Sequence, residues 1–373
     1  MMKASKASTK QVRYAVVGLG HIAQVAILPA FAHAKNSELA ALITGDPKKA
    51  KKLANKYGVP AFHYDDFEQA VEGEQIDAVF IALPNTQHRP FTVRAARAGV
   101  HVLCEKPMAT SEKDCRAMIA ACEKADVRLM IAYRLHFAPA HLEAIALARS
   151  GKLGELRFFS SIFGMQVKAD NIRTDPKDGG GPLRDLGVYC INAARYLFGA
   201  EPVEVRATTA SKRRDKRFAK VEEMAGALLH FPGERMAQFT CSFGSGNVAS
   251  LELVGTKGML RIEPAYEYVE ALKWTLAIGD KKKEKAFPAG DQFAPELIHF
   301  SDCVLKGKRP EPDGYEGLAD VRIIEAIFKS ATSGRAVKIA PVKRQKPVKP
   351  SQAIKRPPVR KPSLVRTQPP HSG

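Results

Sequence analysis

The stretch Tyr14-Ala15-Val16-Val17-Gly18-Leu19-Gly20-His21-Ile22-Ala23 decides the fold. Its valine-rich apolar run reads as a buried strand, and the glycines that end it permit a tight turn. With no side chain at Gly18 or Gly20, backbone N–H groups can approach a pyrophosphate closely. Ala23 is small enough for the following helix to pack against the strand, and that helix offers its positive dipole end to the phosphates. As a bare pattern GxGxxA is a weak sign of a dinucleotide site, so its weight rests on what lies downstream.

Downstream, strands and helices alternate. A helical pattern over 21–34 leads to a strand over 38–44, a polar turn over 45–49 and a helix over 47–57 that stops at Gly58. A short strand at 60–63, a helix at 65–72 and an apolar strand at 76–83 follow, the last closed by Pro84-Asn85-Thr86-Gln87-His88. Then come a helix to Ala98, a strand at 100–104, a helix at 111–125 and a strand at 127–132. This spacing predicts a doubly wound parallel sheet, an α/β Rossmann domain over 12–132.

Beyond Tyr133 the rhythm changes. A helix (137–150), a strand (156–167), a glycine-rich turn (179–182) and a helix (183–198) precede strands at 203–210, 222–231, 235–244, 248–255, 258–263 and 272–277. With a hairpin at 255–258 and closing helices at 295–306 and 315–333, these predict an α+β domain over 133–340 with a mainly antiparallel open sheet.

The length of 373 residues suits two domains. Residues 1–11 read as a flexible segment, whose lysines have no apolar run of their own behind them, against a secretory leader. No stretch reaches the ~18 apolar residues of a membrane span. Cys104, Cys115, Cys122, Cys190, Cys241 and Cys303 are scattered without a CxxC pair. They read as buried thiols in a reducing compartment, which predicts a cytoplasmic protein without a zinc site.

The net charge of +19 divides unevenly. Residues 341–373 hold nine Lys or Arg and no acid, which leaves 49 basic against 39 acidic residues, or +10, in the remainder. That tail also has eight prolines, and it is predicted to be disordered. It lacks aromatic residues to stack on bases, so nucleic acid is not an expected partner.

Three further clusters carry chemistry. Glu105-Lys106-Pro107 ends an apolar strand, and ligands bind off the carboxyl ends of strands in open α/β sheets. A lysine there points into the cleft, unless it snorkels to the surface. In Asp185-Leu186-Gly187-Val188-Tyr189, a helical segment would place Asp185 and Tyr189 on one face. A tyrosine beside a cation is a usable acid or base; the same residues also read as a helix-dipole aspartate and a half-buried tyrosine. Tyr133-Arg134-Leu135-His136 marks the crossover between domains. At the end of the second strand, an NAD site usually places an acid that binds the ribose hydroxyls. Here Thr44-Gly45 stands there, with Lys49 one turn on, a set that suits a 2′-phosphate and favours NADP over NAD. Asp46 is the competing element, since it could turn toward the ribose.

The GLGxxA turn, the Glu-Lys-Pro strand end, the Tyr-Arg crossover and the Gly-Gly-Gly turn leading to Asp-x-Gly-x-Tyr occur in this order. Together they resemble the glucose–fructose oxidoreductase and inositol dehydrogenase (Gfo/Idh/MocA) family. The likeness runs over 12–339 and includes Gln292-Phe293 and Tyr315-Glu-Gly-Leu-Ala-Asp-Val-Arg322. The nearest branch is that of NADP-dependent aldose oxidoreductases. The resemblance implies hydride transfer between NADP and a sugar or related polyol, without a metal. It implies Lys106 and Tyr189 as the catalytic pair, with Tyr189 as general base and Asp185 binding or tuning. It places Gly18, Leu19, Gly20, His21, Ile22, Ala23, Thr44, Gly45, Lys49, Tyr64, Leu83, Asn85, His88, Glu105, Lys106, Arg134 and Arg173 against the cofactor. Ile172, before Arg173, stands where relatives have tryptophan. His101, His136 and His299 rank below Tyr189 as bases. The resemblance also implies a homodimer or homotetramer through the second sheet. The competing expectation is a non-catalytic nicotinamide-nucleotide sensor whose basic tail engages an acidic partner.

Overall fold

The computed structural model describes residues 10–212, 214–342, 347–360, 362–367 and 369–370; the segment expected over 1–11 lies almost wholly outside them. Among the described residues, β1 (Val12–Val17), β2 (Ser37–Ile43), β3 (Ala61–Phe62), β4 (Ala78–Ile81), β5 (His101–Glu105) and β6 (Leu129–Ala132) form a parallel sheet in the order β3-β2-β1-β4-β5-β6. β4 and β6 are buried at every position and β1 at all but one, as a sheet covered on both faces requires. The strand order reverses between β1 and β4, which opens a crevice at the carboxyl ends of these strands.

Helices α1 (residues 23–30), α2 (Pro47–Tyr57), α3 (Phe67–Gly73), α4 (His88–Arg97) and α5 (Glu112–Lys124) connect these strands. The continuous helix expected over 21–34 is shorter. It opens on the π-type turn Ala23–Ile27 and ends in the 3-10 turn Phe31–His33. Pro29 has no N–H to donate back along the helix, which breaks the regular ladder. α2 starts where Asp46 accepts the Lys49 N–H at 3.0 Å and stops at Gly58, whose φ is 69°.

The second sheet comprises β7 (Leu156–Gln166), β8 (Glu204–Ala210), β9 (Met224–Phe231), β10 (Arg235–Ser242), β11 (Gly244–Gly255), β12 (Gly258–Ile262), β13 (Leu272–Ile278), β14 (Lys281–Phe287) and β15 (Val337–Lys338). Its order is β14-β13-β12-β11-β7-β10-β9-β8-β15, antiparallel except where β7 meets β10. Helices α6 (Pro139–Arg149), α7 (Val188–Phe198) and α9 (Gly314–Ser333) complete this layer. β14 was not expected, because Lys281-Lys-Lys-Glu-Lys285 lacks the apolar alternation of a strand. It lies at the sheet edge, where lysines discourage further pairing.

The chain does not divide cleanly at residue 133. Helix α8 (Ala294–Leu305) returns to the first domain, where Leu297 and Phe300 pack with Tyr14, Val16 and Leu28. The Tyr14 hydroxyl lies 2.9 Å from Ser301 Oγ, and Ile131 N–H donates to Pro312 O at 3.2 Å. An amphipathic pattern says that α8 buries a face, not which domain covers it.

Parts of the basic tail lie against the body of the chain. Val348 is 1% exposed, and Arg149 donates to its carbonyl at 2.9 Å. Arg356 Nε donates to His33 O at 3.0 Å, and Gln352 Nε2 to Glu311 Oε2 at 2.5 Å. Hydrogen bonds thus run in both directions between tail and body, and prolines reduce the entropy lost on ordering. Of the tail expected to be disordered, residues 341–342, 347–360, 362–367 and 369–370 are described here, and residues 343–346, 361, 368 and 371–373 lie outside the described chain.

Candidate active site

A cleft of about 920 Å³ opens at the carboxyl ends of β1, β2, β4 and β5 and is walled on its far side by the second domain. Gly18 (φ 91°) lies so close to β4 that an added Cβ would sit 2.4 Å from Ala82 O. Gly20 is different: an added Cβ would meet nothing within 4 Å. Protein packing therefore does not require glycine at position 20. Its missing side chain leaves open room beside the start of α1, where the pyrophosphate of a dinucleotide rests in such a turn. The residues fit the group.

One end of the cleft is lined by Thr44, Lys49 and Tyr64. Asp46 does not turn toward it. Its Oδ1 accepts the Lys49 N–H at 3.0 Å, and its Oδ2 accepts from Arg366 Nε at 2.7 Å. The hydrogen bond from Arg366 holds the Asp46 carboxyl below the usual carboxylate range. The competing role of Asp46 as a ribose ligand is not adopted.

At the other end, β5 delivers Lys106, and the turn Leu183–Gly187 delivers Asp185 from the second domain. Lys106 Nζ donates to both the Asp185 carbonyl and Oδ1, each at 3.0 Å. Arg173 Nε donates to Asp185 Oδ2 at 2.6 Å. Burial alone would raise the Asp185 pKa, but Arg173 and Lys106 hold it well below the carboxylate range. Burial alone would lower that of Lys106, but Asp185, Tyr189 and Glu105 raise it, so the ammonium persists.

Lys106 Nζ lies 4.7 Å from the centre of the Tyr189 ring. On the same ring, the guanidinium carbon of Arg134 lies at 5.0 Å, and Arg134 Nε donates to the Tyr189 hydroxyl at 3.3 Å. Arg134 is anchored in turn by Gln292 and the Tyr266 carbonyl. Glu105 accepts from its neighbour Lys106 N–H at 3.2 Å, and burial pushes its carboxyl up to about 7. Two cations thus converge on one phenol.

Gly18, Leu19, Gly20, His21, Ile22, Thr44, Lys49, Tyr64, Leu83, Asn85, Glu105, Lys106, Arg134, Arg173, Asp185 and Tyr189 all line this cleft. Three expected residues do not. Ala23 is buried in the core behind the turn, and Gly45 lies under the Tyr64 ring, 3.1 Å from an added Cβ. His88 is fully buried between Pro107 O (2.9 Å) and Leu83 O (3.0 Å), bracing the loops that carry Lys106 and Leu83. The alternative histidines stand outside the cleft. His101 Nδ1 accepts from Arg128 N–H at 2.9 Å, His136 is held between Glu311 and Asn192, and His299 lies on α8 beside Phe137.

Sequence reasoning missed the opposite wall. Phe163 and Tyr266 pack around Tyr189, with ring centres 5.6 and 5.8 Å from it. Thr367, Pro369 and Pro370 of the tail also line the cleft. Phe163 and Tyr266 come from ordinary strand and loop contexts that carry no local signal. The tail residues could be found only by knowing where the tail docks.

Comparison with known proteins agrees with this architecture. Residues 12–133 match the model of the Gfo/Idh/MocA oxidoreductase family, NAD-binding Rossmann fold, and residues 141–261 match the Gfo/Idh/MocA C-terminal domain. The chain belongs to the Gfo/Idh/MocA oxidoreductase family. It is 31% identical to the NADP(+) D-xylose 1-dehydrogenase of Haloarcula marismortui, over 89% of this chain and 94% of that one. An aldose-aldose oxidoreductase structure from Caulobacter crescentus, complexed with glycerol, is 41% identical with a TM-score of 0.85, covering 88% of this chain and all of the other. A 3-ketoreductase from Actinomadura kijaniata, in complex with NADP and TDP-benzene, is 27% identical with a TM-score of 0.79, covering 86% and 98%.

Proposed function

We propose that this chain is an NADP-dependent oxidoreductase that transfers hydride between nicotinamide and an aldose or related polyol. The observation that carries the proposal is the convergence of Lys106 and Arg134 on Tyr189 in the same cleft as the glycine turn. The relatives named above include NADP-dependent sugar enzymes. Gly18, Leu19, Gly20, His21 and Ile22 would hold the pyrophosphate, Thr44 and Lys49 the 2′-phosphate, and Leu83, Asn85, Glu105 and Arg134 the nicotinamide half. When bound, NADP supplies the hydride acceptor in one direction and the donor in the other.

The rest of the chemistry falls to the protein. Tyr189 takes the proton from the sugar hydroxyl as the carbon is oxidised, and returns it to the carbonyl oxygen in the reverse direction. The Lys106 ammonium stabilises the negative charge that develops on the substrate oxygen. Asp185 and Arg173 fix that ammonium in place, so little reorganisation accompanies the reaction. Phe163 and Tyr266 present an aromatic wall to the apolar face of a sugar ring.

The sensor alternative needs a tail free to engage an acidic partner, whereas Arg356 and Arg366 are engaged with this chain's own His33 and Asp46. A panel of aldoses with NADP+ tests the enzymatic reading. Growth of reduced-nicotinamide absorbance with at least one sugar is expected, and none with any sugar or polyol would contradict it.

The outer face of the second sheet supports self-association. Phe158, Ile162 and Met236 are 44, 46 and 50% exposed on adjacent strands, with Leu228 beside them. An apolar patch of this kind on a sheet face suits a second copy of the chain. Sedimentation should give a dimer or tetramer, and Ile162→Lys should dissociate it. Six buried cysteines, none in a disulfide among the described residues, suit a reducing cytoplasm.

A further inference from the structure

The tail completes the end of the cleft that receives the 2′-phosphate, and it does so through one side chain. Thr44, Lys49 and Thr367 line that end together. Three residues beyond the end of β2 stands Asp46, the N-cap of α2, a carboxylate whose negative charge would oppose a 2′-phosphate held by Thr44 and Lys49. Arg366 is the side chain that closes off the free oxygen of Asp46, at 2.7 Å.

The position of Arg366 is built rather than incidental. Val365 N–H donates to Gln24 Oε1 at 2.7 Å, and Gln24 Nε2 donates back to Val365 O at 2.9 Å. Gln24 is 2% exposed and also donates to Leu19 O at 2.9 Å, within the glycine turn itself. The tail is therefore registered against the phosphate-binding turn by a buried amide. Further on, Lys168 N–H of the second domain donates to Pro370 O at 3.0 Å, so described tail residues meet both sides of the cleft. Arg366 adopts a φ of 48°, a left-handed conformation that costs a non-glycine residue and persists only where surrounding contacts hold it.

We propose that Arg366 is a specificity-determining residue for NADP over NAD, acting through Asp46 as a positioning residue. This rests on the NADP reading above. With Arg366 in place, Asp46 is paired and remains folded onto the start of α2, and Lys49 faces that end of the cleft. Without it, Asp46 still caps α2 but keeps an unpaired charge near the phosphate, two residues beyond the place where NAD sites carry an acid. The pair is half-exposed, and exposed ion pairs contribute little to folding. Its consequence therefore falls on the ligand rather than on stability.

The test is binding of NADP+ and NAD+ to the full-length enzyme by titration calorimetry. In Arg366→Ala, Kd for NADP+ should rise about 10-fold while Kd for NAD+ stays within about twofold or falls, as expected when one unpaired carboxylate is left near the 2′-phosphate. Arg366→Lys should retain most of the preference. In Asp46→Asn/Arg366→Ala the preference should return, because the charge to be neutralised is gone and asparagine still caps α2. Equal weakening of both cofactors in Arg366→Ala would overturn the proposal by making the tail a generic strap. Unchanged binding of both, or a double variant as unselective as the single one, would overturn it too. Wild-type enzyme that prefers NAD+ would instead strike the NADP reading beneath it, and this shows before any substitution is made.

Discussion

The two ends of the cleft are assembled from different kinds of material. At the nicotinamide end, Lys106 and Asp185 are 79 residues apart and come from a strand end and a helix start, rigid elements whose neighbours are packed. At the phosphate end, Asp46 and Arg366 are 320 residues apart, and one of them belongs to a proline-rich tail that lies along the surface. The reacting groups need fixed geometry, because small misplacement is expensive in rate. Charge selectivity at a phosphate needs only a sign and a rough position, which a docked tail can supply. If Lys106 and Arg366 act as proposed, the chemistry is held by the fold and the choice of cofactor is adjusted at its margin.

Substitutions at the two ends should therefore separate rate from affinity. Lys106→Ala should have the largest effect, lowering kcat about 100-fold or more, since it removes the cation opposite the developing oxyanion. NADP+ affinity, read by calorimetry, should change far less, and full activity in this variant would break the comparison. Lys49→Ala should do the reverse, raising Kd for NADP+ about 10-fold with kcat nearly unchanged at saturation. A kcat loss there equal to that of Lys106→Ala would show the ends to be coupled.

The smallest effect concerns Glu105. Burial raises its carboxyl to about 7, so the folded protein holds a proton that the unfolded chain releases near the ordinary value. Its contribution to stability is fully present below that ordinary value and is lost as pH rises through about 7. Wild-type melting temperature should fall over this window more than that of Glu105→Gln, measured side by side. Parallel curves would remove Glu105 from the account.

The gathering of Glu105, Lys106, Asp185 and Tyr189 in one cleft was legible because these residues sit in short local patterns: Glu105-Lys106-Pro107 at a strand end and Asp185 with Tyr189 one helical turn apart. The alternation of strands and helices made the first sheet legible for the same reason, since period and spacing are local. What was hidden was long-range. Phe163 and Tyr266 meet Tyr189 only through the docking of separate elements, α8 returns to the first domain, and the tail is held by side chains such as Gln24 far away in sequence. His88 is a different case: it sits in a motif, and it is buried between the Pro107 and Leu83 carbonyls, behind the cleft wall.

The central claim is that Tyr189 moves the substrate proton in a cleft that holds NADP. The most direct measurement loads wild-type and Tyr189→Phe enzyme with NADP+, adds the best aldose from the panel and follows reduced-nicotinamide absorbance in a single turnover. The account predicts that the variant retains NADP+ affinity within about twofold but loses about 100-fold or more in rate, the size of a lost general base. Equal rates in the two proteins, both with NADP+ bound, would contradict it.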